Sequence, residues 1–146
     1  GIALRTSLIS GYPTETKEQH HELVEFVRKT RFDRLGVFTY SQEDDTPAYS
    51  LGDPIRMSEK NRRQREIMRL QEKISLELNE SRVGQTLKVI IDSEEADAYI
   101  GRTEYDSPDV DNCVIISKKH ALTVGEFYQV RITESAPYDL YGEVVL

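Results

Sequence analysis

Residues 86–92 read TLKVIID, 97–102 DAYIGR, 112–117 NCVIIS, 126–133 EFYQVRIT and 140–146 LYGEVVL. Each is a short run rich in Val, Ile or Tyr. Leu87/Val89/Ile91 and Tyr128/Val130/Ile132 alternate with other residues at the period-two spacing of a strand with one buried face. Turn-forming clusters lie between the runs: Ser93-Glu94-Glu95, Asp106-Ser107-Pro108-Asp109 and Val124-Gly125. Five short strands with no helix between them predict a five-stranded antiparallel OB-like β-barrel over residues 82–146, because closure hides the edges that an open sheet would expose. Gly101 and Gly142 fall inside strands and are expected at bulges or sharp bends.

Upstream the pattern changes. Ala3–Ser10 (ALRTSLIS) reads as a strand ended by Gly11-Tyr12-Pro13. Thr16 with Gln19 three residues on forms a capping-box pattern, and Leu23, Val24 and Val27 then recur at helical spacing to about Thr30. Leu35–Tyr40 (LGVFTY) is a second strand. Strand, helix, strand is a βαβ unit with parallel strands. One such unit cannot cover both faces of its sheet, so residues 1–56 are expected to be the end of a larger, partial (β/α) barrel. The alternative is a small α+β domain with two parallel strands of its own. After a loop rich in Asp, Pro and Gly, Ser58 is the expected N-cap of a long linker helix over 57–81, with Ile67, Leu70, Ile74 and Leu78 as its apolar stripe. The fold class is therefore α/β plus all-β.

The 146 residues are 38% hydrophobic and 31% charged. No apolar run approaches the ~20 residues that cross a bilayer, which argues against a membrane location. The chain opens inside a strand and without Met, so it reads as a piece of a longer protein. Cys113 is the single cysteine, in keeping with a reducing cytoplasm, and it reads as buried and inert. His20, His21 and His120 read as surface residues, with no zinc spacing and no phosphate-cradling glycine loop. No catalytic residue and no metal ligand stand out.

Charge is the strongest local signal. The net charge is −7, and residues 82–146 hold 12 acidic against 6 basic side chains. Asp92, Glu94, Glu95, Asp97, Glu104, Asp106, Asp109 and Asp111 cluster around two barrel strands, with Arg102 the one basic residue among them. A field of that sign repels phosphate and attracts cationic polypeptides. Glu94, Glu95, Asp97, Glu104, Asp106 and Asp109 are the candidate contacts to a basic protein, which is favoured over RNA. The run from Arg56 to Lys73, with 7 basic and 3 acidic residues, is the competing candidate for a nucleic-acid or ribosome contact.

The segments RTSLISGYPTET, FDRLGVFTYSQEDDTPA, VGQTLKVIID, YIGRTEYDSPDVD and YDLYGEVV occur in this order along the chain. Together they resemble the C-terminal part of the radical S-adenosylmethionine methylthiotransferases, in which a partial (β/α) barrel precedes a small β-barrel called the TRAM domain. The similarity spans essentially the whole chain. It is closest to the branch that methylthiolates the β-carbon of an aspartate in ribosomal protein S-twelve; the tRNA-modifying branch, with an RNA-binding barrel, is the alternative. The resemblance implies a full-length enzyme with two four-iron–four-sulfur clusters and S-adenosylmethionine, the small ribosomal subunit or its S-twelve protein as partner, and a cytoplasmic location. Its cluster cysteines have no counterparts here, so this piece alone is expected to be inactive. It also implies that Gly11, Tyr12, Pro13, Phe38 and Tyr40 wall the S-adenosylmethionine pocket, although Thr14 stands where the family has Gly.

Overall fold

The computed structural model describes residues 2–106 and 112–146. The chain divides into two compact units, Gly1–Ile74 and Ser75–Leu146. In the first, β1 (Arg5–Ser10), α1 (Lys17–Thr30) and β2 (Arg34–Thr39) follow one another. β1 and β2 pair in parallel with Leu8 opposite Val37 and Ile9 opposite Phe38. The Thr16 hydroxyl accepts from the Gln19 amide while the Gln19 side chain accepts from the Thr16 amide, so the capping box closes at the first turn of α1. Its Val24 and Val27 are buried, as are Val37 of β2 and the flanking Phe32 and Tyr40. The other face of the two strands is open, with Ile9 56% and Phe38 62% exposed.

The long helix, α2, runs from Met57 to Arg82, and the amides of Glu59 and Lys60 both donate to the Arg56 carbonyl. Ser58 is therefore inside the helix and does not cap it. The expected stripe is real at Ile67 and Ile74, which are buried, but that helix face continues N-terminally through Lys60 and Arg63 and includes Gln71, all buried as well. An apolar count misses this face because long side chains cover core with their methylenes and carry their polar ends to partners.

The second unit contains a closed barrel with strand order β3-β4-β5-β7-β6, formed by β3 (Thr86–Glu94), β4 (Ala98–Thr103), β5 (Val114–Ser117), β6 (Phe127–Ser135) and β7 (Leu140–Val144). Val89, Ile91, Tyr99, Val114, Ile116, Val130, Ile132 and Leu140 form its core. The barrel is mixed, which corrects the antiparallel expectation: β5 and β7 pair in parallel, and the other four neighbouring pairs are antiparallel. Parity requires this. Directions cannot alternate around a closed ring with an odd number of strands, so at least one pair must run the same way.

The two strand glycines are not themselves the bulged residues. The register shifts fall on the partner strands, between Ile91 and Ser93 on β3 and between Ile132 and Glu134 on β6. Gly101 stands opposite Ile91 and Gly142 opposite Ile132, so each glycine lies beside a bulge. A Cβ on Gly101 would sit 2.6 Å from the Ile90 carbonyl oxygen, and one on Gly142 would sit 2.7 Å from that of Arg131. Backbone cannot yield as a flexible side chain can. Gly101→Ala is expected to destabilise the chain by about 1–3 kcal/mol in denaturant unfolding, as overpacked cores do.

Candidate functional site

The C-terminal ends of β1 and β2 hold one polar cluster. Gly11 follows β1 with φ +80°, and a Cβ there would lie 2.3 Å from Lys60 Cγ, so both its conformation and the passing lysine require glycine. Lys60 is 1% exposed; its ammonium donates to the Tyr40 carbonyl at 3.0 Å and pairs with Asp53 at 2.6 Å. It also lies 5.3 Å from the Tyr40 ring centroid. The Tyr12 and Tyr40 rings meet edge to face at 5.7 Å. The Tyr40 hydroxyl is buried with no hydrogen-bond partner among the described residues, and burial first, then the Asp53 charge, raises the pKa of the phenol.

Beneath this cluster Glu15 accepts from the Gly11 amide and pairs with the buried Arg63 at 2.7 Å, while Arg63 also reaches Glu59 at 2.9 Å. Of the five residues proposed to wall a pocket, Gly11, Tyr12 and Tyr40 come together and Pro13 lies in the adjoining turn. Phe38 points from the open face of the strands, away from the helix-covered side that buries Val37. Sequence reading missed Lys60, Asp53, Glu15 and Arg63. The signal for the two cations was their helical spacing with Ile67, Gln71 and Ile74 on one face.

On the barrel, the described cations are engaged. Arg102 pairs with Asp92, Lys118 with Glu94, and Lys119 and Arg131 both with Glu143. Lys88 lies over the Phe127 ring and Arg82 over the Tyr105 ring. Glu95, Asp97, Glu104, Glu126 and Glu134 are exposed and carry no ion pair among the described residues. The negative surplus of this half is thus concentrated on a few side chains open to solvent.

Residues 83–145 match the TRAM domain family. Over 143 residues the chain is 51% identical to the ribosomal protein uS12 methylthiotransferase RimO of Christiangramia forsetii, covering 97% of this chain and 32% of that protein. The Cytophaga hutchinsonii protein of the same name is 51% identical over 146 residues, covering 99% of this chain and 33% of its own. That of Chloroherpeton thalassium is 50% identical over 150 residues, covering 100% and 35%. The chain is a homologue of RimO proteins and carries a TRAM domain. It spans about a third of the length of the curated relatives it matches.

Within the TRAM domain the candidate acidic contacts are not equivalent. Glu95, Asp97 and Glu104 are exposed and carry no ion pair among the described residues, and Glu94 is exposed but tied to Lys118. Asp106 is buried and accepts from the Thr103 hydroxyl at 2.9 Å, so it shapes the turn after β4 and presents no surface charge. Asp109 lies outside the described residues. Cys113 is half-buried, and its thiol donates to Asp139 at 3.2 Å. Burial first, and then Asp139, push that thiol up to about 12, so it is protonated at neutral pH. Among the described residues no group of three or more His, Cys, Asp and Glu could hold a metal ion, and no helix is long and apolar enough to cross a membrane. The expectation of three surface histidines fails at His20, which is buried in the first unit with its Nε2 3.2 Å from Glu66.

Two outcomes follow from the ion pairs of the first unit. Lys60→Met removes the donor to the Tyr40 carbonyl and the partner of Asp53, and is expected to cost about 2–3 kcal/mol in denaturant unfolding. Hydrogen bonds from Arg62 and Arg63 lower the Glu59 carboxyl from 4.5 to about 2. A depressed carboxyl contributes stability above its unfolded value that is lost as the pH falls through its folded one. Stability should therefore decline between pH 4.5 and about 2, and Glu59→Gln should flatten that acid limb in pH-dependent thermal melts.

Proposed function

We propose that this chain is part of a methylthiotransferase that modifies the β-carbon of an aspartate in ribosomal protein uS12, with the TRAM barrel recognising the substrate protein. The observation that carries the reading is identity of about half over nearly the whole chain to proteins bearing that activity as their name. The charge on the barrel supports it. Five exposed carboxylates have no ion-pair partner among the described residues, whereas the described cations of residues 82–146 are held by carboxylates or aromatic rings, an arrangement that favours a cationic polypeptide over a phosphate backbone. The alternative of a tRNA-modifying enzyme finds less support. The basic start of α2, its best candidate for RNA contact, has Lys60 and Arg63 buried in ion pairs and Arg62 paired with Glu59.

In this reading the two β-strands and α1 are the end of a larger (β/α) barrel. The open face carrying Ile9 and Phe38 is what an incomplete sheet would leave uncovered. Two four-iron–four-sulfur clusters and S-adenosylmethionine belong to the radical chemistry of such an enzyme. This chain's residues do not fit the clusters: its one thiol is a hydrogen-bonded, protonated Cys113. They are compatible with a wall of the S-adenosylmethionine site, because the buried Tyr40 hydroxyl lacks a partner beside the Tyr12 ring. A cytoplasmic location follows from a ribosomal substrate.

The deciding experiment expresses the full-length protein that contains this chain in cells and analyses uS12 by mass spectrometry. A methylthio group on an aspartate of uS12, lost when the gene is deleted, is the expected result. The same group on tRNA, with uS12 unmodified, would sink the reading.

A further inference from the structure

The outer wall of the barrel carries an apolar row that the core does not use. Ile100 on β4 stands opposite Ile115 on β5, and Ile115 opposite Tyr141 on β7. Their strand neighbours Tyr99, Val114, Ile116 and Leu140 make up the core, so strand alternation turns Ile100, Ile115 and Tyr141 outward. The two isoleucines are half-buried, stand outside the core cluster of the described residues, and sit beside a Tyr141 that is 37% exposed. With neighbouring strands about 4.8 Å apart, the row covers about 10 Å of wall, the reach of three extended residues.

Charge frames this row. In register, Tyr141 is followed by Glu134 on β6 and Ile100 by Ser93 on β3, next to the turn that bears Glu95 and Asp97. Those three carboxylates are exposed and carry no ion pair among the described residues. The nearby cations are neutralised: Arg102 by Asp92, Lys118 by Glu94, and Arg131 by Glu143. An oligonucleotide needs successive aromatic platforms and free cations. Here the platforms are two isoleucines and one tyrosine, and the free charges are negative.

We propose that the outer face of β4, β5 and β7 docks an extended, cationic polypeptide segment, with an apolar side chain resting on Ile100 and Ile115 and basic side chains reaching Glu134 at one end and Glu95 and Asp97 at the other. This rests on the reading that the barrel receives a basic protein, and it adds where and in what form. Closure supports the form: the five strands pair in a closed ring, so recognition must run through side chains on the wall rather than by strand addition.

The test uses the whole chain, isotopically labelled, titrated with purified ribosomal protein uS12 and, separately, with oligouridylate. The expected result is that uS12 shifts the resonances of Ile100, Ile115 and Tyr141, and that Ile100→Ser/Ile115→Ser weakens its binding about tenfold or more, the loss typical of central interface contacts. Phe127→Ser, which removes an exposed ring from β6 outside the row, should bind as the parent does. Mapping on the unsubstituted chain stands even where the double variant folds poorly. Binding of uS12 with shifts confined to other faces overturns the proposed location alone. No binding of uS12, or shifts of the row by oligouridylate only, overturns the underlying reading and this proposal with it.

Discussion

A strand at the edge of a sheet must place its outward-turned backbone groups somewhere, and in the first unit α2 supplies the partners. The Tyr40 amide donates to Ser10 of β1 and the Arg34 amide to Leu4 just before it, so alternation turns the carbonyl of Val37 away from that strand. The Gln64 side chain donates to that carbonyl at 2.6 Å. Just beyond the two ends of the strand, Lys60 donates to the Tyr40 carbonyl and Gln71 to that of Phe32. Gln64 thus takes up an outward carbonyl of β2, and Lys60 and Gln71 of the same helix hold the carbonyls just beyond its two ends. Much else follows from this contact. Lys60 must be buried to reach Tyr40, Asp53 comes in to balance its charge, and Gly11 must lack a side chain because the lysine stem passes over it.

The barrel solves the same edge problem by closure, and closure has its own costs. Five strands cannot alternate around a ring, so β5 and β7 run in parallel. Sharp curvature is taken up at two similar places, where a bulge on one strand faces a glycine on the next: Ile91–Ser93 beside Gly101, and Ile132–Glu134 beside Gly142. Both glycines let the neighbouring backbone approach more closely than any Cβ permits. Because pairing uses up the edges, the barrel's chemistry is that of its outward side chains and loops.

The charge of the chain divides along the same lines. The cations that make the start of α2 look like a nucleic-acid surface are partly internal: Lys60 and Arg63 hold the unit together through Asp53, Glu15 and Glu59. In the TRAM domain the cations are balanced locally and the surplus carboxylates stay exposed. Composition counts the charges of both stretches but does not show which of them the fold takes inside.

The sequence by itself determined the elements whose signals are local. Strand periodicity, turn residues and the Thr16/Gln19 pair are set by neighbours in the chain, and all five barrel strands, both strands of the first unit and both long helices lie within a few residues of where those signals put them. The order of its segments carried the likeness to RimO proteins, which identity over nearly the full chain establishes. Only the tertiary structure decided what depends on residues distant in sequence. The parallel β5–β7 pair follows from ring closure, and the burial of Lys60, Arg63 and His20 from partners 20 to 48 positions away. A charged residue written in a sequence has no side until the fold supplies its counterpart. For the same reason the Ile100–Ile115–Tyr141 row is invisible until strand register sets the three side by side.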